Sequence, residues 1–323
     1  MPAVSVIATV LNEAENVPGL VESLLRQTPP AAEIIVVDGG STDGTWEWLR
    51  GAAEKHPPLR SIRDETCSLR FTPGPISKGR NVAIRAATSN FIACADAGCT
   101  YAPDWLAELT GPLLQGNAEY ALGGSCLDLR DATAWDVASA PFFGVKMSAD
   151  APTKSCTARS MAFTKDLWRK LGCFPETVFY GEDTLFDLRA RAIAAPAFPR
   201  RAKAIYRPRN TFLSACRQMA RYAVSDGILG VRRSRLARNA ARCAVELAAV
   251  IALKWTWVPL ALVGVLILHL AFAQDWRLVR TANPKVLAAR LGFALLVPWI
   301  VTVNHIRGSV TKKDLVNAQN LGA

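Results

Sequence analysis

Several features that would point to particular protein classes are scarce or missing. The chain of 323 residues has three histidines and eight cysteines, with no CxxC pair. Because no histidine or paired cysteine stands at metal-ligand spacing, a zinc site is not predicted. The cysteines are interpreted instead as small core residues of a reduced, cytosolic domain.

The start of the chain shows neither a secretory signal nor a glycine-rich phosphate loop. The run Val4 to Leu11 is short and strand-like and leads directly into the acidic turn Asn12-Glu13. The N-terminal region is therefore expected to stay in the cytoplasm. The missing phosphate loop argues against a nucleotidyltransferase. Nucleic acid is not expected as a partner, since no RNA-binding motif or basic stretch interleaved with aromatic residues is found.

Acidic residues are scarce in the C-terminal part of the chain. Residues 1–199 carry 18 Lys and Arg against 23 Asp and Glu, a net charge of −5, whereas residues 200–323 carry 20 against 4, a net charge of +16. The positive charge alternates with long apolar runs. This pattern favours contact with the lipids of an anionic membrane surface.

Two uncharged stretches near the C-terminus predict membrane helices. The first, Trp255 to Gln274, has 20 residues without charge, enough to cross a bilayer core. The second, Leu291 to Ile306, has 16 such residues and contains Pro298. Burial of both stretches in a soluble domain is the alternative. Five arginines precede the first stretch, a bias typical of the cytoplasmic side: Arg232, Arg233, Arg235, Arg238 and Arg242.

Strand and helix patterns alternate through residues 1–110. This repetition predicts an α/β fold with a mostly parallel sheet and helices on both faces. A break at FTPGPISKG is expected before a helix that begins at Arg80. The expected organisation is a catalytic domain over 1–210, amphipathic, arginine-rich interface helices over 211–242, membrane helices over 243–306 and a basic tail over 307–323. The membrane helices are expected to form a hairpin of 250–274 and 286–306.

Acidic residues follow apolar runs at three places: Asp38 in EIIVVDGGSTDGT, Asp96 in FIACADAGC, and Glu182-Asp183 in FYGEDTLF. In an open α/β sheet, ligands bind at the carboxyl ends of the strands. Carboxylates gathered there suit a metal ion and an anionic leaving group. The alternative is that Asp38 and Asp43 cap the helix that follows them.

Taken together, these segments resemble the family 2 glycosyltransferases of GT-A fold over residues 3–225. The resemblance is carried by VSVIATVLNEAENV, by VVDGGSTDGT, by the Asp96 segment after KGRNVAIRAA, and by GED at 181–183. It implies a GT-A, Rossmann-like domain followed by C-terminal membrane helices. It also implies a cytoplasmic, nucleotide-sugar-dependent transferase that inverts the anomeric centre.

The resemblance also implies roles on the donor side of the site. Asn12, Glu13 and Asp38 would bind the nucleoside. Asp96 stands at the family's DxD metal motif, where Mg²⁺ or Mn²⁺ would bridge the diphosphate oxygens. The chain reads Asp96-Ala97-Gly98, so the second carboxylate of the motif is missing. Arg80 would grip phosphate, or is a solvated arginine at a helix start.

On the acceptor side, Asp183 is the candidate general base and Glu182 its like-charged neighbour. The alternative is that both acids complement a helix dipole. Arg159, upstream in SCTARSMAF, is a further candidate for a phosphate or acceptor contact.

The segment RQMARY resembles the family's QxxRW motif, with tyrosine in place of tryptophan. On a helix, Gln218, Arg221 and Tyr222 would share one face and close the acceptor side of the site. The alternative is an ordinary amphipathic interface helix. Because the chain has too few membrane segments for a polymer channel, a single addition is expected.

The leading hypothesis is an inverting glycosyltransferase at the cytoplasmic face of the inner membrane. It would move a sugar from a nucleotide-sugar donor to a lipid-linked or cell-surface polysaccharide precursor. One alternative is a polyprenyl-phosphate glycosyltransferase, and another is a non-catalytic GT-A scaffold on the membrane.

Overall fold

The fold is taken from a computed structural model that describes residues 3–130, 132–146, 157–207, 211–252 and 284–321, with a few positions between 257 and 264. The chain divides into two compact units. The first comprises residues 1–130 and 144–207, and the second comprises residues 131–143 and 208–323. The expected catalytic domain over 1–210 differs from this division, because residues 131–143 leave it to pack in the second unit.

The first unit contains a six-stranded and a three-stranded sheet. Its strands are β1 (Val4–Val10), β2 (Glu33–Asp38), β3 (Leu59–Arg63), β4 (Phe91–Cys94), β5 (Cys99–Tyr101), β6 (Tyr120–Leu122), β7 (Ser125–Cys126), β8 (Met161–Thr164) and β9 (Ala204–Tyr206). The larger sheet has the order β3-β2-β1-β4-β8-β6, and the smaller one has the order β5-β9-β7.

The mostly parallel sheet predicted from the sequence is confirmed. Strand β1 pairs in parallel with β2 and β4, and β2 pairs in parallel with β3. Strand β8 runs antiparallel to β4 and β6. Every residue of β2 is buried. Because successive side chains point to opposite faces of a sheet, both faces are covered at this strand.

The helices of the first unit connect these strands. They are α1 (Val17–Leu25), α2 (Thr45–Lys55), α3 (Pro75–Ala86), α4 (Trp105–Leu114), α6 (Lys165–Lys170) and α7 (Glu182–Arg191). Helix α3 begins at Pro75, so the expected start at Arg80 is wrong. Proline suits the first turn because its fixed φ fits a helix and its missing N–H is not needed there. Arg80 therefore lies in the middle of the helix.

Helix α3 packs closely against β1 at Gly79. A Cβ atom on Gly79 would lie 2.7 Å from Cγ2 of Thr9, closer than ordinary carbon contacts allow. Glycine removes that clash. The close approach positions the next residue, Arg80, within reach of Asp96 just beyond the end of β4.

The second unit is helical over the residues described. It contains α5 (Ala134–Ser139), α8 (Phe212–Leu229), α9 (Arg233–Ala252) and α10 (Pro284–Leu321). Residues 131–143 belong here because Arg290 Nη2 donates a hydrogen bond to the carbonyl oxygen of Val137 at 2.9 Å. The rings of Phe142 and Phe293 also pack with centroids 5.1 Å apart.

Helix α10 contains a stretch that meets the length and composition of a membrane span. Leu287–Thr311 has a mean hydropathy of 1.6 over its most apolar window and is the one such stretch in the described part of the chain. The helix runs through Pro298 and continues to Leu321, whereas the sequence predicted an end at 306 and a separate tail. The predicted helix over 250–274 lies largely outside the described residues. The expected boundary at 242 falls inside α9.

Candidate functional site

The predicted acidic residues of the first unit gather at the carboxyl edge of the larger sheet. Asp38 is the last residue of β2, and Asp96 lies two residues beyond β4. Strand β8 is antiparallel, with Met161 at its start opposite Cys94 at the end of β4. The turn that precedes β8 therefore reaches the same edge.

Asp38 is fully buried, and its two carboxylate oxygens differ in their hydrogen bonding. Its Oδ1 accepts hydrogen bonds from the backbone N–H groups of Gly40 at 2.6 Å and Ser41 at 2.7 Å. Its Oδ2 is buried and accepts no hydrogen bond from the described residues. A buried carboxylate oxygen without a donor is costly. The Oδ2 atom is therefore suited to accept a hydrogen bond from a bound molecule.

The alternative in which Asp38 and Asp43 cap α2 is wrong for Asp38, but it holds in part for Asp43, which accepts the N–H of Thr45, the first residue of α2. The N-cap residue of α2 is Gly44, which forms no side-chain cap bond. Asp43 accepts hydrogen bonds from Thr45 N at 3.1 Å and from Ala14 N at 3.0 Å. It thereby ties the loop after β1 to the loop after β2.

Asn12 and Glu13 strengthen the same connection between loops. Asn12 Oδ1 accepts a hydrogen bond from Thr42 N at 2.9 Å, and the Glu13 N–H donates to Thr45 Oγ1 at 2.9 Å. Asn12 has φ +54°, in the left-handed region that asparagine tolerates better than most residues. Both residues thus shape the edge beside Asp38.

Arg80 connects two of the candidate acids. Its Nη1 donates to Glu182 Oε1 at 2.6 Å, and its Nη2 donates to Asp96 Oδ1 at 3.0 Å. The side chain is 4% exposed, and its guanidinium lies 5.6 Å from the centre of the Phe174 ring. The reading of Arg80 as a solvated arginine at a helix start is therefore wrong. Its contact with phosphate stays a prediction.

The pKa directions follow from this burial and pairing. For Arg80, burial opposes the charged form, but Asp96 and Glu182 outweigh it and raise the pKa. Burial raises the pKa of Glu182, and the charge of Asp183 adds to the increase, while Arg80 opposes it. The like-charge effect predicted for the pair therefore acts on Glu182, whose side chain faces Arg80.

Asp183 has a different environment from its neighbour. Both acids lie in the first turn of α7, after Gly181 at the N-cap. Asp183 is half-buried, and its Oδ2 accepts a hydrogen bond from the Ala158 N–H at 3.3 Å. The helix-dipole position is compatible with a role of Asp183 as base, and Glu182 is the acid that Arg80 Nη1 binds at 2.6 Å.

The turn before β8 contacts both acidic centres. Ala158 donates to Asp183, and Arg159 Nε lies 4.0 Å from Asp96 Oδ2. The Tyr101 hydroxyl donates to the carbonyl oxygen of Arg159 at 2.9 Å and accepts from the Asp96 N–H at 3.0 Å. Sequence patterns gave Arg159 little weight because the antiparallel direction of β8, which brings the turn here, was not foreseen.

Asp96 is the one carboxylate that the motif offers to a divalent cation. Asp96 is 31% exposed, and Gly98 contributes no side chain where the DxD motif has its second acid. Within the described ranges, no group of three His, Cys, Asp or Glu residues forms a metal site. Mg²⁺ or Mn²⁺ would thus be held by Asp96 together with water and phosphate oxygens of the substrate.

The QxxRY residues lie on helix α8 of the second unit, as predicted for a helical motif. Gln218 Nε2 donates to the Tyr222 hydroxyl oxygen at 2.7 Å, which fixes these side chains on one helix face. Arg221 lies on the same helix. Their role toward an acceptor stays a prediction.

Comparisons with known sequences agree with the pattern of the first unit. The sequence profile described as Glycosyl transferase family 2 matches residues 5–165. Glycosyltransferase AglE of Haloferax volcanii is 27% identical over 202 residues, 59% of this chain and 62% of that protein. Succinoglycan biosynthesis protein ExoA of Rhizobium meliloti is 31% identical over 115 residues, 35% of this chain and 33% of that protein. The matches span less than two thirds of either relative.

A comparison with solved structures supports the fold. The mannosyltransferase PcManGT from Pyrobaculum calidifontis, solved in complex with GDP-Man and Mn²⁺, has a TM-score of 0.56 and 21% identity. The match covers 96% of this chain and 86% of that one. It confirms the GT-A architecture expected from the sequence.

Proposed function

The chain belongs to the family 2 glycosyltransferases, and on that premise we propose that it transfers a sugar from a nucleotide-sugar donor to an acceptor with inversion at the anomeric carbon. The observation that carries the proposal is the turn before β8, in which Ala158 contacts Asp183 and the next residue, Arg159, contacts Asp96. One turn thus contacts both a donor-side acid and a candidate base, which supports a site that holds donor and acceptor close together for a displacement.

The donor side of the proposal rests on Asp38. Its unsatisfied Oδ2 is suited to an N–H of a nucleobase or a hydroxyl of ribose. Asn12 and Glu13 would complete the nucleoside site from the adjoining loop. A nucleotide sugar is present in the complex of the similar mannosyltransferase, which supports this donor class.

In the transfer step, Asp183 would accept the proton of an acceptor hydroxyl as its oxygen attacks the anomeric carbon. The bond from that carbon to the diphosphate breaks, and the electron pair leaves with the nucleoside diphosphate. Asp96 would hold Mg²⁺ or Mn²⁺, which when bound neutralises part of the leaving charge. Glu182 is proposed to hold Arg80 in place rather than to act as a base.

Membrane attachment is proposed through the second unit. Apolar side chains of α9 and α10 are exposed, among them Val250, Trp299 and Val303. Arginines at the start of α9 complement anionic headgroups. We infer attachment to the inner membrane with the first unit in the cytoplasm, and an acceptor that is a hydroxyl on a lipid-linked or cell-surface polysaccharide precursor.

The test is a panel of nucleotide sugars offered to the full-length protein in detergent, with release of nucleoside diphosphate and thermal stabilisation as readouts. Asp183→Asn should lower kcat by about 10²- to 10⁴-fold and leave donor binding nearly unchanged. Asp166→Asn is the matched control, because Asp166 is an exposed acid in the first turn of α6. Full turnover by Asp183→Asn would remove Asp183 from the reaction.

The same variant separates the alternatives. A polyprenyl phosphate is already an anion and needs no base, so Asp183→Asn should then cause a smaller loss, through positioning alone. A non-catalytic scaffold would release no nucleoside diphosphate from any donor of the panel, even with Mn²⁺ and membrane lipids present.

A further inference from the structure

We propose that Arg159 binds the diphosphate of the donor and supplies positive charge at the position where the second carboxylate of the DxD motif is missing. The inference rests on the proposed function and deepens it, because it assigns a phosphate-binding residue to the same site.

Arg159 is positioned to reach both the site and a ligand. Its Nε lies 4.0 Å from Asp96 Oδ2, and its side chain remains 17% exposed. Arg80, the other arginine beside Asp96, is 4% exposed and directs two nitrogens at carboxylates. Of these two arginines, Arg159 therefore has the better access to a soluble anion.

The backbone at Arg159 is firmly held. Thr157 Oγ1 accepts a hydrogen bond from the Arg159 N–H at 3.3 Å. The next residue, Ser160, donates to the carbonyl oxygen of Ala202 at 2.6 Å and accepts from Trp105 Nε1 at 2.9 Å. A turn fixed on both sides presents its side chain with little loss of backbone entropy on binding.

The guanidinium of Arg159 is also oriented. Its carbon Cζ lies 3.9 Å from the centre of the Tyr206 ring, a stacking distance. Stacking fixes the plane of the group. A guanidinium edge matches two phosphate oxygens, which a lysine ammonium cannot do.

Gly98 connects this stack to the altered metal motif. A Cβ atom on Gly98 would lie 3.7 Å from Cε2 of the same Tyr206 ring. A carboxylate at position 98 would thus add a negative charge beside the ring on which Arg159 stacks. Glycine adds no such competing charge. Without an acid at position 98, Arg159 would therefore bind the diphosphate alongside a metal ion held by Asp96.

The test measures binding rather than turnover. The full-length protein is titrated with UDP, GDP, ADP and CDP and with the matching nucleosides, in EDTA and again in Mn²⁺. Wild type should bind one diphosphate in EDTA more tightly than its nucleoside. Arg159→Gln should weaken the affinity for the diphosphate by about tenfold or more, since a charge-assisted contact is lost. The affinity for the nucleoside should stay unchanged.

Three further variants sharpen the result. Arg159→Lys should recover part of the diphosphate affinity, because it keeps the charge but loses the planar edge. Gly98→Asp should weaken binding in EDTA and increase the benefit of Mn²⁺. Arg169→Gln, at an exposed arginine on α6 paired with Asp166, is the matched control and should change nothing.

Unchanged diphosphate affinity in Arg159→Gln would overturn this inference and leave the proposed function standing. An equal loss of nucleoside affinity would also overturn it, because it would show a general structural defect. If wild type bound none of the four diphosphates under either condition, both proposals would fail together.

Discussion

Replacing Arg80 by methionine tests the buried pairing that organises the candidate site. Methionine keeps much of the volume of the side chain but removes the charge and both hydrogen bonds. The variant would leave Glu182, whose side chain is 9% exposed, without its partner at 2.6 Å. Asp96, which is 31% exposed, could turn to water instead.

The expected loss of folding stability in Arg80→Met comes mainly from Glu182. Breaking a buried ion pair from one side costs about 3–5 kcal/mol, whereas a pair with a partly exposed partner contributes about 0–1 kcal/mol. The cost should shrink on acidification. Burial raises the pKa of Glu182, so the folded protein binds its proton more tightly than the unfolded chain does. The variant therefore regains stability as the pH falls through the folded pKa.

Hydrogen exchange of the amides in β1 and β4 reports this loss within the first unit. A loss of 3–5 kcal/mol would accelerate their exchange by about two to four powers of ten where they open globally. Adding Glu182→Gln to Arg80→Met should restore much of the stability, and the double-mutant cycle measures the coupling. Arg85→Met, on the same helix but 57% exposed, is the control. A loss below about 1 kcal/mol for Arg80→Met, or an equal loss for the control, would refute the reasoning.

Further predictions concern the pH dependence of stability, the metal ligand and attachment to the membrane. Burial alone would raise the pKa of Glu33, but hydrogen bonds from Thr88, Ser5 and Arg60 lower it, so the stability it provides is present above its unfolded pKa and is lost as the pH falls through the folded value. The stability measured by hydrogen exchange across this pH range should depend less on pH in Glu33→Gln than in wild type. An unchanged pH dependence would contradict this prediction. Asp96→Asn should reduce activity by about tenfold or more and weaken the response to Mn²⁺; wild-type activity with a wild-type response to chelator would show that Asp96 is not the metal ligand. The intact protein should resist carbonate extraction and dissolve in detergent, whereas release by high salt alone would indicate peripheral binding.

The parallel strands and most acidic positions were predictable because they depend on local patterns. A run such as EIIVVD reads as a strand buried on both faces, and parallel strands place their following residues at one edge. Asp38 and Asp96 were located in this way. The GED segment was expected after a strand, but it lies at a helix start, as the alternative reading of its acids required.

The pairing of Arg80 was not predictable, because its partner Glu182 lies 102 residues away in sequence. Local patterns identify neither such contacts nor the antiparallel direction of β8. The start of α3 was misplaced because the Gly and Pro residues of FTPGPISKG were read as a break, although Pro75 opens the helix. The three-stranded sheet escaped notice because its strands have only two or three residues each.

The packing of residues 131–143 with α10 has a consequence for biosynthesis. Arg290 and its partner Val137 are 153 residues apart in the chain. At about 5–20 residues per second, Val137 in α5 emerges from the ribosome about 8–30 s before Arg290 does. During this interval the rings of Phe142 and Phe143 lack Phe293 of α10, which is part of the cluster that later covers them. A chain that ends at residue 207 would leave residues 131–143 without this partner surface permanently. A variant limited to the first unit therefore has to replace this segment as well.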